Sequence, residues 1–122
     1  ITGDIIWRRS ISIHSNSSID DYVIYASSSN GDIVALDRFS GEIIWSTIVD
    51  EDVIFSQPVM IDSYILSFGT NGYVAILNKK DGSTIHYNKL LSPIDYQSNV
   101  LTVNKTTYIV TKDGRLNAIK LN

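Results

Sequence analysis

One phrase of this chain returns in altered form, and its spacing limits the architectures the chain can adopt. The phrase is Ala35-Leu36-Asp37-Arg38-Phe39-Ser40-Gly41-Glu42-Ile43-Ile44-Trp45. Its second half stands earlier as Thr2-Gly3-Asp4-Ile5-Ile6-Trp7, and a weaker copy stands later as Ile76-Leu77-Asn78-Lys79-Lys80-Asp81-Gly82-Ser83-Thr84-Ile85-His86. The equivalent glycines, Gly3, Gly41 and Gly82, are 38 and 41 residues apart. Self-similarity at such a period marks stacked supersecondary units. A second series keeps the same beat: Asn30-Gly31, Asn71-Gly72 and Asp113-Gly114 each open an alternating strand, 41 and 42 residues apart. Asn-Gly and Asp-Gly predict type I′ hairpin tips, because both central residues of that turn take positive φ.

Between these markers the chain reads as strands, with no helical periodicity. Short runs rich in β-branched and aromatic residues, such as Tyr22–Ala26, Tyr64–Phe68 and Thr107–Val110, are bounded by Gly, Ser, Asn and Asp. Several are continuously apolar, which fits sheets covered on both faces. Each period divides into four strands. The first full unit has Ile11–His14, Tyr22–Ser27, Asp32–Asp37 and Glu42–Val49. The second has Pro58–Ile61, Tyr64–Gly69, Tyr73–Asn78 and Ser83–Leu90. The third has Asn99–Val103, Thr107–Thr111 and Arg115–Leu121. One further strand, Asp4–Arg9, precedes them. Four short antiparallel strands per period of about 40 residues is the blade of an all-β propeller. The expected organisation is one partial propeller domain over 1–122: an orphan strand at 1–9, blades at 10–50 and 51–91, and an incomplete blade at 92–122. About three blades is fewer than a closed ring contains. The chain therefore reads as part of a larger propeller, or as a unit that further copies complete.

Bulk chemistry removes several functions. Ten Lys and Arg against 13 Asp and Glu give a net charge of −3. No basic cluster marks a nucleic-acid footprint. No apolar run approaches the length of a membrane-spanning helix. The absence of cysteine removes disulfides, thiolate metal sites and cysteine nucleophiles together.

The phrase Ala35-x-Asp37-x-x-x-Gly41-x-x-x-Trp45 resembles the tryptophan-docking motif of the PQQ-type, quinoprotein-like propeller repeats, whose rings have eight blades. The resemblance implies that each Trp packs between neighbouring blades and staples them. The motif is complete at Ala35, Asp37, Gly41 and Trp45, partial at Gly3 and Trp7, and eroded around Gly82, where Ile76, Asn78 and His86 replace Ala, Asp and Trp. In the last unit Ala118 persists but Lys120 replaces Asp. Within this superfamily, Gly72–Gly82, Asp95-Tyr96-Gln97-Ser98 and Thr111–Ile119 resemble the closing blades of the BamB family, lipoproteins of the outer-membrane β-barrel assembly machine. That resemblance implies that Asn122 is a carboxyl terminus and that further blades lie upstream. It also implies a non-enzymatic scaffold that holds partner proteins in the periplasm, peripheral to the outer membrane, without a cofactor. The competing branch is the PQQ-dependent dehydrogenases, which use a vicinal cysteine pair, Ca²⁺ ligands and a catalytic Asp. A third reading is a propeller-type sensor domain.

Individual residues fit architecture better than chemistry. A Trp recurring at blade period is a packing element. Asp37 suits acceptance of backbone N–H groups in its own turn. His14 and His86 are the only histidines, too few for a metal site, and His86, at a Trp position, is expected to be half-buried. Asp20-Asp21 and Asp50-Glu51-Asp52 read as solvated loop charges, since Ca²⁺ needs six or more convergent oxygens. No nucleophile elbow or phosphate loop is present. Asn16-Ser17-Ser18 and Asn104-Lys105-Thr106 match the glycosylation acceptor pattern, without meaning in a bacterial protein. The segments Asp50–Phe55 and Leu91–Tyr96 are candidate contact loops, with Phe55 and Tyr96 as candidate partner contacts that serve equally as core.

Overall fold

In the computed structural model, which describes residues 1–121, eleven strands form three antiparallel sheets, and no helix occurs among the described residues. The first sheet is β1 (Ser18–Ile19), β2 (Val23–Ser27), β3 (Asp32–Asp37) and β4 (Ile43–Ile48), in that order. The second repeats the pattern with β5 (Val59–Ile61), β6 (Tyr64–Phe68), β7 (Tyr73–Asn78) and β8 (Thr84–Lys89). The third has β9 (Val100–Val103), β10 (Thr106–Val110) and β11 (Leu116–Lys120), with β10 central. Each sheet is an up-and-down meander, the topology of a propeller blade.

The blades repeat the same pairing pattern across the period. Ser18 opposes Tyr25 as Val59 opposes Leu66, and the isolated bridge Ile13–Ser28 reappears as Phe55–Gly69. In the first two blades the third and fourth strands slip register at the same place, between Ala35 and Leu36 and between Ile76 and Leu77. Ile44 and Ile85 are the extra residues of these bulges. A bulge re-aims a side chain and strengthens local twist.

Apolar residues fill the gaps between blades. Tyr25, Ile33, Ala35 and Trp45 of the first blade pack with Ile65, Ala75 and Leu77 of the second, and Val53 and Phe55 from the connecting chain complete this layer. Leu66, Phe68 and Val74 of the second blade meet Ile94 and Ile109 on the third-blade side. Strand β3 is buried along its four central residues, which explains its unbroken apolar run.

Three expectations change. The segment 4–9 joins no ladder among the described residues; its Trp7 and Arg9 side chains dock on the first blade instead. The inner strand of the first blade is Ser18–Ile19 rather than Ile11–His14, which contributes only the Ile13 bridge. The Asn-Gly and Asp-Gly tips are not type I′ turns. Within each of these tips only the glycine has positive φ: Gly31, Gly72 and Gly114, at 78°, 85° and 84°. The Gly72 N–H donates to the Gly69 carbonyl (2.9 Å) while the Gly69 N–H donates to the Tyr73 carbonyl (2.8 Å). This is a type I turn closed by a left-handed glycine bulge. The pair with two positive φ values is Asn104 (50°) and Lys105 (67°), between the paired Val103 and Thr106. Asn122 lies outside the described residues.

Candidate interaction surface

The glycine turns after β3 and β7 are built the same way. The Gly41 N–H donates to the Asp37 carbonyl (2.8 Å), and the Asp37 carboxylate accepts N–H groups from Phe39 (2.8 Å) and Ser40 (2.9 Å). Asn78 repeats the design with Gly82 and Lys80. The Ser40 and Phe39 N–H groups hold the Asp37 carboxyl below the usual carboxylate range.

The turn serves as a landing platform. The indole of Trp45 lies over Gly82, so close that a Cβ there would sit 2.4 Å from the ring. Its Nε1 donates to the Lys79 carbonyl (3.1 Å), and the Thr47 hydroxyl donates to the Gly82 carbonyl (2.6 Å). Trp7 repeats every contact one blade earlier. It covers Gly41 at 2.4 Å, its Nε1 donates to the Arg38 carbonyl (2.8 Å), and Arg9 Nε donates to the Gly41 carbonyl (2.9 Å). Ala35 is fully buried in the layer below Trp45. Gly3 has nothing within 4 Å of where a Cβ would stand. His86, at the next Trp position, is exposed and contacts Asn88 (3.2 Å) rather than packing half-buried, because no glycine turn lies opposite it among the described residues.

The two candidate contact loops carry one buried and one partly exposed aromatic. Phe55 is fully buried, so it is core; Val53 turns inward beside it, and Ile94 turns inward at the next junction. These segments carry the chain from one blade into the next, and their apolar residues plug the junction. Tyr96 stays partly exposed, its ring 5.8 Å from that of His14. The connector after β4 is anchored by Asp50, whose carboxylate accepts from the Tyr87 hydroxyl (2.8 Å), which also accepts from Asn71 (3.1 Å). The acidic loops are thus occupied within the fold: Asp20 accepts from the N–H groups of Tyr22 and Val23 and pairs with Lys79 at 3.1 Å. Among the described residues no three His, Cys, Asp or Glu side chains could hold a metal ion.

A cleft of about 470 Å³ opens between the first two blades, lined by Val23, Tyr25, Ile44, Trp45, Lys79 and Lys80. A smaller counterpart of about 210 Å³ at the next junction contains Ile85 and His86. The bulge that extrudes Ile44 and Ile85 therefore supplies an apolar wall at both junctions. Beside the larger cleft, β4 is an edge strand that leaves Ile43, Ile44 and Ile48 about half exposed or more. Sequence reasoning did not single out Ile44, although the bulge stands where Ile43-Ile44 adds one residue to the strand's alternation.

Burial pushes the Tyr87 phenol up to about 12, aided by the Asp50 carboxylate it bonds, and burial does the same to Tyr25, with Asp20 contributing. The folded state then keeps protons that the unfolded chain has released above its ordinary value near 10.0. The stability these groups contribute is whole below pH 10 and falls as pH rises toward about 12. Denaturant unfolding at stepped alkaline pH is expected to show this decline, and Tyr87→Phe is expected to make it shallower. An unchanged slope in Tyr87→Phe would count against the assignment.

Repeated blades, glycine turns and indoles seated on the next blade define the chain as tryptophan-docked β-propeller repeats. The pattern of the family described as "Outer membrane protein assembly factor BamB" matches residues 1–122, and the chain belongs to that family. A curated member from Legionella pneumophila (strain Paris), named outer membrane protein assembly factor BamB, is 22% identical over 98% of this chain and 31% of its own length. The crystal structure of BamB from Moraxella catarrhalis superposes with a TM-score of 0.65 at 18% identity, covering 94% of this chain and 39% of that one. A quinohemoprotein alcohol dehydrogenase from Pseudomonas putida HK5 superposes with a TM-score of 0.74 at 14% identity, over 93% of this chain and 20% of that one. At these identities the structural likenesses show a shared fold. The chain spans about a third of the length of the relatives it matches.

Proposed function

We propose that this chain is part of a non-enzymatic scaffold that binds protein partners during assembly of outer-membrane β-barrel proteins, working from the periplasmic side. The observation that carries the reading is the match to the assembly-factor family along all 122 residues. The local chemistry is compatible with it. Trp7, Trp45, Gly41 and Gly82 are spent on joining blades, and the open apolar wall at Ile44 faces outward. A partner segment in extended form would lie along the β4 edge, with main-chain bonds giving affinity and the cleft receiving an apolar side chain. The uncovered apolar residues of the third sheet, Leu101, Val103, Val110 and Leu116, are assigned to further blades of the ring.

A photo-activated crosslinker placed at Ile44 in living cells tests the partner. Crosslinking to a protein of the β-barrel assembly machinery is expected, with none from the buried position Ile65. Crosslinking of both positions to abundant bystanders alone would sink the reading. Titration of the protein with PQQ and Ca²⁺, followed by absorbance, addresses the enzyme alternative. No stoichiometric spectral change is expected, and such a change would restore the dehydrogenase reading.

A further inference from the structure

The segments leading into β1, β5 and β9 converge on a second cleft, of about 320 Å³ and mostly polar. Its wall includes His14, Asn16, Gln57, Tyr96, Gln97 and Ser98, drawn from all three repeats. None of the residues that line it is a lysine, arginine or carboxylate.

Main-chain and side-chain bonds hold parts of the wall in place. The Ser29 N–H donates to the Ser12 carbonyl (2.7 Å), and Ile13 bridges Ser28. The Gln97 N–H donates to the Asp95 carboxylate (2.9 Å) and the Ser98 N–H to the Asp95 carbonyl (2.9 Å). The Gln57 amide nitrogen reaches the Ser17 carbonyl and the Ser18 hydroxyl, at 3.4 and 3.3 Å. Polar side chains also face the cleft. Among the described residues, the amides of Asn16 and Gln97 and the Gln57 carbonyl oxygen make no hydrogen bond to protein. Beside them the rings of His14 and Tyr96 meet at 58°, forming an aromatic corner.

We propose that this cleft is a binding site for a neutral sugar. Each amide both donates and accepts, as a sugar hydroxyl does, so the two can satisfy one another in pairs. An aromatic ring offers its face to the C–H side of a pyranose, where area is buried without loss of a polar partner. Absence of charge in the wall disfavours a phosphate or carboxylate ligand. An extended peptide is the competing ligand, and the triglycine control below separates it from a saccharide. The volume lies at the small end of the range for small-molecule sites. The inference goes beyond the scaffold reading and does not depend on it.

The two histidines provide the test. His14 lines the polar cleft and His86 lies on the outer strand β8. With ¹³C-labelled histidine, titration with triacetylchitotriose is expected to shift the His14 ring resonance saturably and leave that of His86 in place. Tyr96→Ala is expected to weaken binding roughly tenfold, and Gln57→Glu, which preserves size, is expected to weaken it as well. Retained spectral dispersion in both variants shows that the fold survives. The proposal fails if His14 does not saturate, if both histidines shift alike, or if triglycine shifts His14 where the saccharide does not.

Discussion

Trp45→Ala is expected to lower the stability of the protein by about 3–5 kcal/mol, the usual cost of removing a large buried aromatic side chain. The indole is 9% exposed and belongs to the core shared by the first two blades. Its loss leaves a cavity over Gly82 and deprives the Lys79 carbonyl of its donor. Trp45→Phe is expected to cost less, because a ring remains while the Nε1 bond goes. Gly82→Ala attacks the same contact from the other side, since its Cβ would fall 2.4 Å from the indole. Two changes at one contact are not additive, so the double variant is expected to be less destabilised than the sum of the singles. Denaturant unfolding followed by tryptophan fluorescence measures all four proteins. A loss below about 1 kcal/mol for Trp45→Ala, less than an ordinary core truncation, would show that Trp45 is not a staple.

Gly31→Ala is expected to be comparably severe and Gly114→Ala mild, although the two glycines have nearly the same φ. Both would place alanine in left-handed backbone, at about 1–2 kcal/mol. Gly114 has nothing within 4 Å of the added carbon, so it incurs only that cost. At Gly31 the carbon would stand 1.9 Å from the Asp50 carbonyl oxygen and 2.6 Å from its carbon. Those are main-chain atoms of the connector, held there because the Val49 and Asp50 N–H groups both donate to the Gly31 carbonyl, at 3.0 and 3.3 Å. The connector must move, and Val53 and Phe55 move with it. Gly72 occupies the same situation beneath Leu91. Comparing the midpoints of Gly31→Ala and Gly114→Ala isolates the connector's contribution, because the φ strain cancels. Equal midpoints would mean that the connector yields freely.

Blade number, strand order and the role of the glycine turns were legible because they rest on local chemistry repeated at a fixed interval. Strands β3 and β7 fall where alternation and turn residues place them, at Asp32–Asp37 and Tyr73–Asn78. What sequence could not supply depends on neighbours in space. Segment 4–9 has strand composition, yet a strand needs a ladder partner, and composition does not reveal whether one is present. Phe55 suited either a partner contact or the core from its place between blades in sequence, and its burial makes it core, because that junction is where blades meet. The turn type was misjudged because Asn-Gly serves both a type I′ turn and a type I turn with a glycine bulge. The hydrogen-bond pattern of the flanking strands decides between them. The outer cleft was invisible because it combines Ile44 of one blade with Lys79 and Lys80 of the next.

The one-way docking of each indole on the blade ahead also orders how the molecule comes apart. Neighbour-only contacts make an array of blades behave as a chain of coupled switches, each biased by the one beside it. The first two couplings have a clamp at Trp7 and Trp45, and the one after β8 has the exposed His86 instead. Amide exchange should therefore run fastest through β9, β10 and β11, slow through β5 to β7, and slowest where β2 and β3 lie between two clamps. Erosion of a sequence motif thus becomes a gradient of opening along the ring, loose where the tryptophan has been lost.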